Sequence, residues 1–213
     1  MGFLSFLSGL LRPAAAQPLS PAKELPTIPV AAVGDVAPAR PKGADERFAA
    51  CVAVTLGYEG GYSDDVHDPG GATNRGITIA TLSEWLKRPA TKAEVRDLSE
   101  DTARAIYRAK YWDAVKGDEL PPGVDLAVFD YAVNSGVSRA VRCLQRCVGV
   151  SPDGVLGPVS LLALRTAEPA ALAERICAQR LAFLRGLGQW DRYGRGWGRR
   201  VEDVRARAAR MAG

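Results

Sequence analysis

The chain has 213 residues, 47% of them hydrophobic and 24% charged, the balance of an ordinary globular protein with enough length for one medium domain or two small ones. No apolar run approaches the roughly 18 residues of a membrane span, which excludes a polytopic membrane protein. The net charge of +4 hides an uneven distribution: residues 180–213 hold nine Arg against three acids, so the basic pI is owed to the C-terminal end. The N-terminal segment Met1 to Leu11 places Phe3, Leu4, Phe6, Leu7, Leu10 and Leu11 on one helical face, and reads either as a signal peptide, weak because no basic residue precedes it, or as a helix lying on a membrane surface. Half of the 14 prolines fall in residues 1–43, which read as a disordered linker.

From Asp45, a good N-cap, Phe48, Cys51, Val52, Thr55 and Tyr58 recur with helical period, and predict a first helix to about Tyr58. Residues 59–76 then carry five glycines with Asp, Asn and Pro, a composition for tight turns or a short irregular hairpin. Helical patterns follow at about 79–87, 100–114 behind the N-cap Ser99, 124–134, 139–148, 158–165 with Pro158 in its first turn, and 170–187. Apart from the loop, the chain reads as all-α. Pro121-Pro122-Gly123 marks a modest boundary, giving a tail over 1–43 and two lobes, 44–120 and 121–213, that share one core. The cysteines Cys51, Cys143, Cys147 and Cys177 fall on apolar stripes and read as core packing. One His, His67, leaves carboxylates, Cys or Lys as the catalytic repertoire, and no metal is expected at His67 and its neighbouring Asp residues because EF-hand spacing is missing.

Glu59 stands where the first helix gives way to the glycine-rich loop. A carboxyl group there meets the negative end of the helix dipole and apolar helix residues, both of which disfavour ionisation. A carboxylic acid that stays protonated near neutral pH is what glycosidic cleavage needs, because the leaving oxygen must take a proton as the bond breaks. Gly60 and Gly61 admit a polymer, and Tyr62 offers a face for a sugar ring. Asp64, Asp65 and Asp68 are all candidates for a partner carboxylate, and each is equally a turn former.

The run Glu59-Gly60-Gly61-Tyr62, followed by Asp68-Pro69-Gly70-Gly71-Ala72-Thr73-Asn74-Arg75-Gly76-Ile77-Thr78, resembles the N-acetylmuramidases of glycoside hydrolase family 108. The resemblance continues through Tyr111-Trp112-Asp113 and Phe129-Asp130-Tyr131-Ala132-Val133-Asn134-Ser135-Gly136. Beyond them, Leu144-Gln145 and Asp153-Gly154-Val155-Leu156-Gly157-Pro158 are similar to the predicted peptidoglycan-binding region of that family. It implies a lysozyme-like, two-lobed helical fold without cofactor. The implied activity is hydrolysis of the β-1,4 bond between N-acetylmuramic acid and N-acetylglucosamine at the cell wall, periplasmic or extracellular, with Glu59 catalytic. Phage-type lysozymes place an Asp nine residues after a helix-ending Glu, and by that analogy Asp68 is the second carboxylate, with Asn74 or Thr78 orienting water. A lytic transglycosylase and a binding module without activity are the alternatives.

Tyr111 and Trp112 read either as sugar-stacking aromatics or as core. Asn134 reads as a C-cap or a ligand for an N-acetyl or hydroxyl group. Asp130, an acid on an apolar helix, needs a partner such as a helix N-terminus or an Arg if buried, and is counted with Tyr62, Asn74, Thr78, Tyr111, Trp112 and Asn134 as substrate-binding. The Arg-rich end reads as a solvated helix face or as a surface for an anionic polymer. Trp190, Tyr193 and Trp197 interleave with its Arg residues as stacking on nucleic acid requires, but a nucleic-acid binder leaves the Glu59 loop unexplained. Peptidoglycan is the expected partner, nucleic acid is not, and the chain is expected to be a monomer.

Overall fold

Residues 43–64 and 71–213 are described by a computed structural model. The tail over 1–42 and the segment 65–70, with His67 and Asp68, lie outside them. The first apolar stripe winds into α1 (Ala44–Leu56), which buries Phe48, Cys51, Val52 and Thr55. Gly43, at φ 79°, precedes it in place of the expected cap; Asp45 sits in the first turn, where its carboxylate accepts from Arg108 Nη1 at 2.9 Å and suits the positive end of the helix. The glycine-rich segment ends in a hairpin, β1 (Thr73–Asn74) against β2 (Ile77–Thr78), with Thr73 opposite Thr78. Its two turn residues, Arg75 and Gly76, both have positive φ, 50° and 73°, the tight turn whose twist suits paired strands. Ser63 pairs with Thr73 through two 2.8 Å backbone bonds and ties the start of the loop to the hairpin.

Helices α2 (Ile79–Leu86), α3 (Lys92–Arg96) and α4 (Glu100–Tyr107) follow, each capped by a threonine or serine: Thr78, Thr91 and Ser99. The expected single helix over 100–114 instead widens after Tyr107 into a π-helical turn, Arg108–Trp112, in which Asp113 N donates to Arg108 O at 2.9 Å. Trp112 inserts between Phe48 and Phe129, with ring centroids 5.3 and 5.6 Å away, and its Nε1 donates to Asp118 at 2.7 Å. All 12 residues of α5 (Val124–Ser135) are buried, the polar Asp125, Asp130, Asn134 and Ser135 among them, as suits a mostly apolar helix at the centre of the core. Packed against it are α1, α6 (Val137–Cys147), α8 (Pro169–Arg185) and α9 (Trp190–Ala212), with the short α7 (Pro158–Leu164) between α6 and α8. The four cysteines are free thiols, with Cys51, Cys143 and Cys177 buried.

The Arg-rich end is therefore a packed helix rather than a solvated face along its whole length: α9 buries Trp197, Arg200, Val201, Val204 and Ala208. It lies close enough to the start of α5 that a Cβ on Gly123, at φ +82°, would stand 2.3 Å from Ala208 O. Backbone cannot yield as a side chain tip does, and that φ is itself unfavourable for alanine. Gly123→Ala is expected to cost about 2–4 kcal/mol, read as a lower midpoint in urea unfolding with the slope unchanged.

Candidate active site

The last turn of α1 tightens: Tyr58 N donates to Thr55 O at 3.1 Å and Glu59 N to Leu56 O at 3.0 Å. The chain leaves the helix there, and the Glu59 side chain turns inward until none of it is exposed. Its Oε1 accepts from Arg200 Nη1 at 3.0 Å, whereas Oε2 is buried and has no hydrogen-bond partner among the described residues. Burial raises the Glu59 carboxyl above its ordinary range, Asp130 adds to that rise, and the Arg200 charge and hydrogen bond only moderate it. Tyr107 and Tyr111 lie within electrostatic range, their hydroxyls pushed up by burial and then by the Glu59 charge.

Arg200 is itself clamped. Asp130 Oδ1 accepts from its Nη2 at 2.7 Å, and Nε lies 3.2 and 3.1 Å from the two Asp130 oxygens. Arg180 Nη1 donates to Asp130 Oδ2 at 2.6 Å and Thr55 Oγ1 to Oδ1 at 3.1 Å. Desolvation alone would raise Asp130, yet the two guanidinium groups hold its carboxyl well below the usual carboxylate range. Arg200 also lies over the Tyr58 ring, 4.7 Å from its centroid. Two carboxyls and two guanidiniums thus share one buried cluster, and its single unpartnered carboxyl oxygen belongs to Glu59.

Several residues expected to meet substrate have partners within the protein. Asp130, expected to bind substrate, is fully buried and has both oxygens taken by Thr55, Arg180 and Arg200. Trp112 is equally buried, in the aromatic core, because the π turn directs it inward. Asn74 spends its amide on the scaffold, donating to Val95 O at 3.0 Å and Arg96 O at 2.8 Å, and so hangs α3 on the hairpin. Thr78 caps α2, its hydroxyl accepting from Thr81 N at 3.1 Å. Tyr111 remains beside Glu59, half-buried and tilted against Tyr107 at 5.7 Å.

Tyr62 is half-buried under the Arg96 guanidinium, 4.8 Å from its ring centroid, and its hydroxyl has no partner among the described residues. Asn134 sits one turn beyond Asp130 on the same face of α5; its Oδ1 accepts from Ser135 and its Nδ2 is a buried donor without a partner among the described residues. Asp68 lies outside the described residues. Among the described residues no three His, Cys, Asp or Glu side chains converge as a metal site requires.

Arg180 and Arg200 are the site residues that the sequence reading missed. Their signal is positional: each falls on the apolar stripe of its helix, Arg180 between Ile176 and Leu184, Arg200 between Trp197 and Val204. A long cation on a buried stripe implies a buried anion opposite, and Asp130 is that anion.

Residues 52–136 match the family model for Glycosyl hydrolase 108, and residues 139–202 match that of the Predicted Peptidoglycan domain. Among solved structures, that of Brucella abortus SagA is 47% identical, covers 79% of this chain and 97% of its own, and superposes with a TM-score of 0.73. No curated protein matches the chain.

Proposed function

The chain belongs to the glycosyl hydrolase 108 family, and from that premise we propose that it cleaves the β-1,4 bond between N-acetylmuramic acid and N-acetylglucosamine, with Glu59 as general acid. A glycoside hydrolase joined to a peptidoglycan-binding region acts at the cell wall. The observation that carries the finer reading is the asymmetry of Glu59: Oε1 is occupied by Arg200, and Oε2 is buried and unpaired. Arg200 has only donors to offer, so the acid proton belongs on Oε2. That oxygen is the one free to protonate the departing O4 of N-acetylglucosamine.

The carboxylate left behind after proton transfer forms 3.0 Å from Arg200. Burial favours the protonated acid beforehand, and the guanidinium stabilises the charge that develops, a preorganised arrangement. Water then adds at C1 of the muramic acid, its proton taken by the Glu59 carboxylate or by a second carboxylate, the role we assign to Asp68. Mass spectrometry of fragments from purified peptidoglycan tests the reading. Reducing N-acetylmuramic acid ends are expected; anhydromuramic ends would make the enzyme a transglycosylase, and no release would leave it a binding module.

A further inference from the structure

The motifs Leu144-Gln145 and Asp153-Gly154-Val155 take no part in the chemistry at Glu59. What they build is a fixed loop beside α6. Buried Gln145 spans it: Nε2 lies 2.7 Å from Asp153 Oδ1, 3.0 Å from Val155 O and 3.1 Å from Ser160 Oγ, while Oε1 accepts from Gly154 N at 2.8 Å. The loop offers Pro152 O to Arg142 Nη1, and Ser138 Oγ lies 3.3 Å from Arg142 Nε. At Gly154, φ +87°, a Cβ would come within 3.1 Å of the same Nε, so loop and arginine are in direct contact. Arg139, about one turn earlier on α6, is laid over the Phe183 ring at 4.1 Å.

Arg139, Arg142 and Arg146 share one face of α6 and, with Ser135, Gly136 and Ser138, line a cavity of about 450 Å³ where α5 meets α6. Among the described residues none of the three forms an ion pair. Asp153 is near enough for Arg142 to lower its carboxyl, but Gln145 lowers it most, and Asp153 Oδ1 is taken by Gln145 and by Val155 N. Arg139 Nε and, on the residue before Ser135, Asn134 Nδ2 are buried donors with no partner among the described residues. A solvated charge stripe would be convex and mobile; here two arginines are held, one by stacking and one by backbone, around a hollow. Guanidinium forks so fixed suit carboxylates, and the 11-residue α6 points its N-terminus into the same corner.

Ser135 follows Asp130 by five residues on α5, about 8 Å along the helix axis, a rise that an extended peptide of about three residues spans. Peptidoglycan carries short peptides with free carboxylates on the lactyl arm of muramic acid. The geometry points to the Arg139–Arg142–Arg146 hollow as a subsite for the carboxylates of the stem peptide beside the scissile bond. The enzyme then reads the peptide as well as the sugar, an assignment that rests on the peptidoglycan hydrolase reading above.

Binding without turnover decides it. Titration calorimetry of the Glu59→Gln protein would use soluble glycan strands that carry stem peptides and the same strands stripped of them. Adding Arg139→Gln, Arg142→Gln and Arg146→Gln is expected to weaken binding to the peptide-bearing strands about tenfold or more, the scale of one lost charge-assisted contact, and to leave the stripped strands unaffected. The three Lys replacements, which keep the charge but lose the planar fork, should recover only part of the affinity. Arg146→Gln alone, whose side chain makes no hydrogen bond among the described residues, gives a smaller loss of the same selectivity without disturbing the loop. Unchanged binding to peptide-bearing strands, or equal losses on both substrates with the melting temperature preserved, would overturn the subsite. A wild-type protein that releases no fragments from either substrate instead defeats the hydrolase reading, and the calorimetry still reports on the hollow.

Discussion

Glu59→Gln is expected to reduce turnover of peptidoglycan by about a thousandfold, the middle to upper part of what a positioned general acid contributes. It should leave glycan binding intact, since glutamine has the size of the acid and its amide oxygen can still accept from Arg200, but it has no proton acidic enough for a leaving alkoxide. The same substitution should raise stability at neutral pH. The native Glu59 pKa is raised by burial, so above that pKa the folded protein holds a carboxylate that the unfolded chain solvates better. Stability from this group is complete below the unfolded pKa and is lost as pH rises through the folded one. Thermal melts of the two proteins should therefore converge at pH below the ordinary glutamate range and separate, the variant higher, as pH is raised. Wild-type activity should hold through most of that interval and fall only at its upper end, as pH passes the raised folded pKa and Oε2 loses its proton. Turnover within tenfold of wild type would remove Glu59 from the chemistry, whatever the melts show.

The helical plan was legible because its apolar spacing is unambiguous: α2, α5, α6, α7 and α8 all lie within two residues of the spans read from periodicity. Glu59 was legible for a related reason, as a helix-ending acid next to paired glycines. What the sequence concealed is where long-range electrostatics decide. Asp130 announced that a buried acid needs a partner, yet the nine C-terminal arginines look alike until the stripe of α9 is drawn and Arg200 falls among Trp197, Val201 and Val204. Treating the Arg-rich end as one basic surface averaged away its two site residues, Arg180 and Arg200.

The π turn was hidden because a single inserted residue leaves the hydrophobic pattern of 100–114 almost unchanged, while it settles whether Trp112 or Tyr111 faces the core. The short α3 carried its signal openly, in the Thr91 to Glu94 capping box, but five residues offer too little periodicity to weigh. Asn74 and Thr78 show the opposite failing: a small polar residue in a loop next to an acid reads as chemistry, and here the backbone claims it first.

The second large effect is expected at Asp130 and Arg200, in opposite directions on one observable. Removing one partner of a buried charge pair typically costs about 3–5 kcal/mol, because the other charge is left uncompensated, so Asp130→Asn and Arg200→Met should both melt well below wild type. Stability alone does not separate a structural clamp from a device that sets the acid. Asp130 raises the Glu59 carboxyl and Arg200 lowers it, so the alkaline limb of kcat/KM should move to lower pH in Asp130→Asn and to higher pH in Arg200→Met. In Arg200→Met the proton is also free to occupy either Glu59 oxygen, so kcat should fall while KM holds, and added guanidinium should restore part of it. A purely structural cluster would shift neither limb and would respond to guanidinium only by further unfolding. Opposed shifts would mean that the helix ending the peptidoglycan-binding region completes the catalytic acid of the hydrolase region, so that neither is a functional module alone.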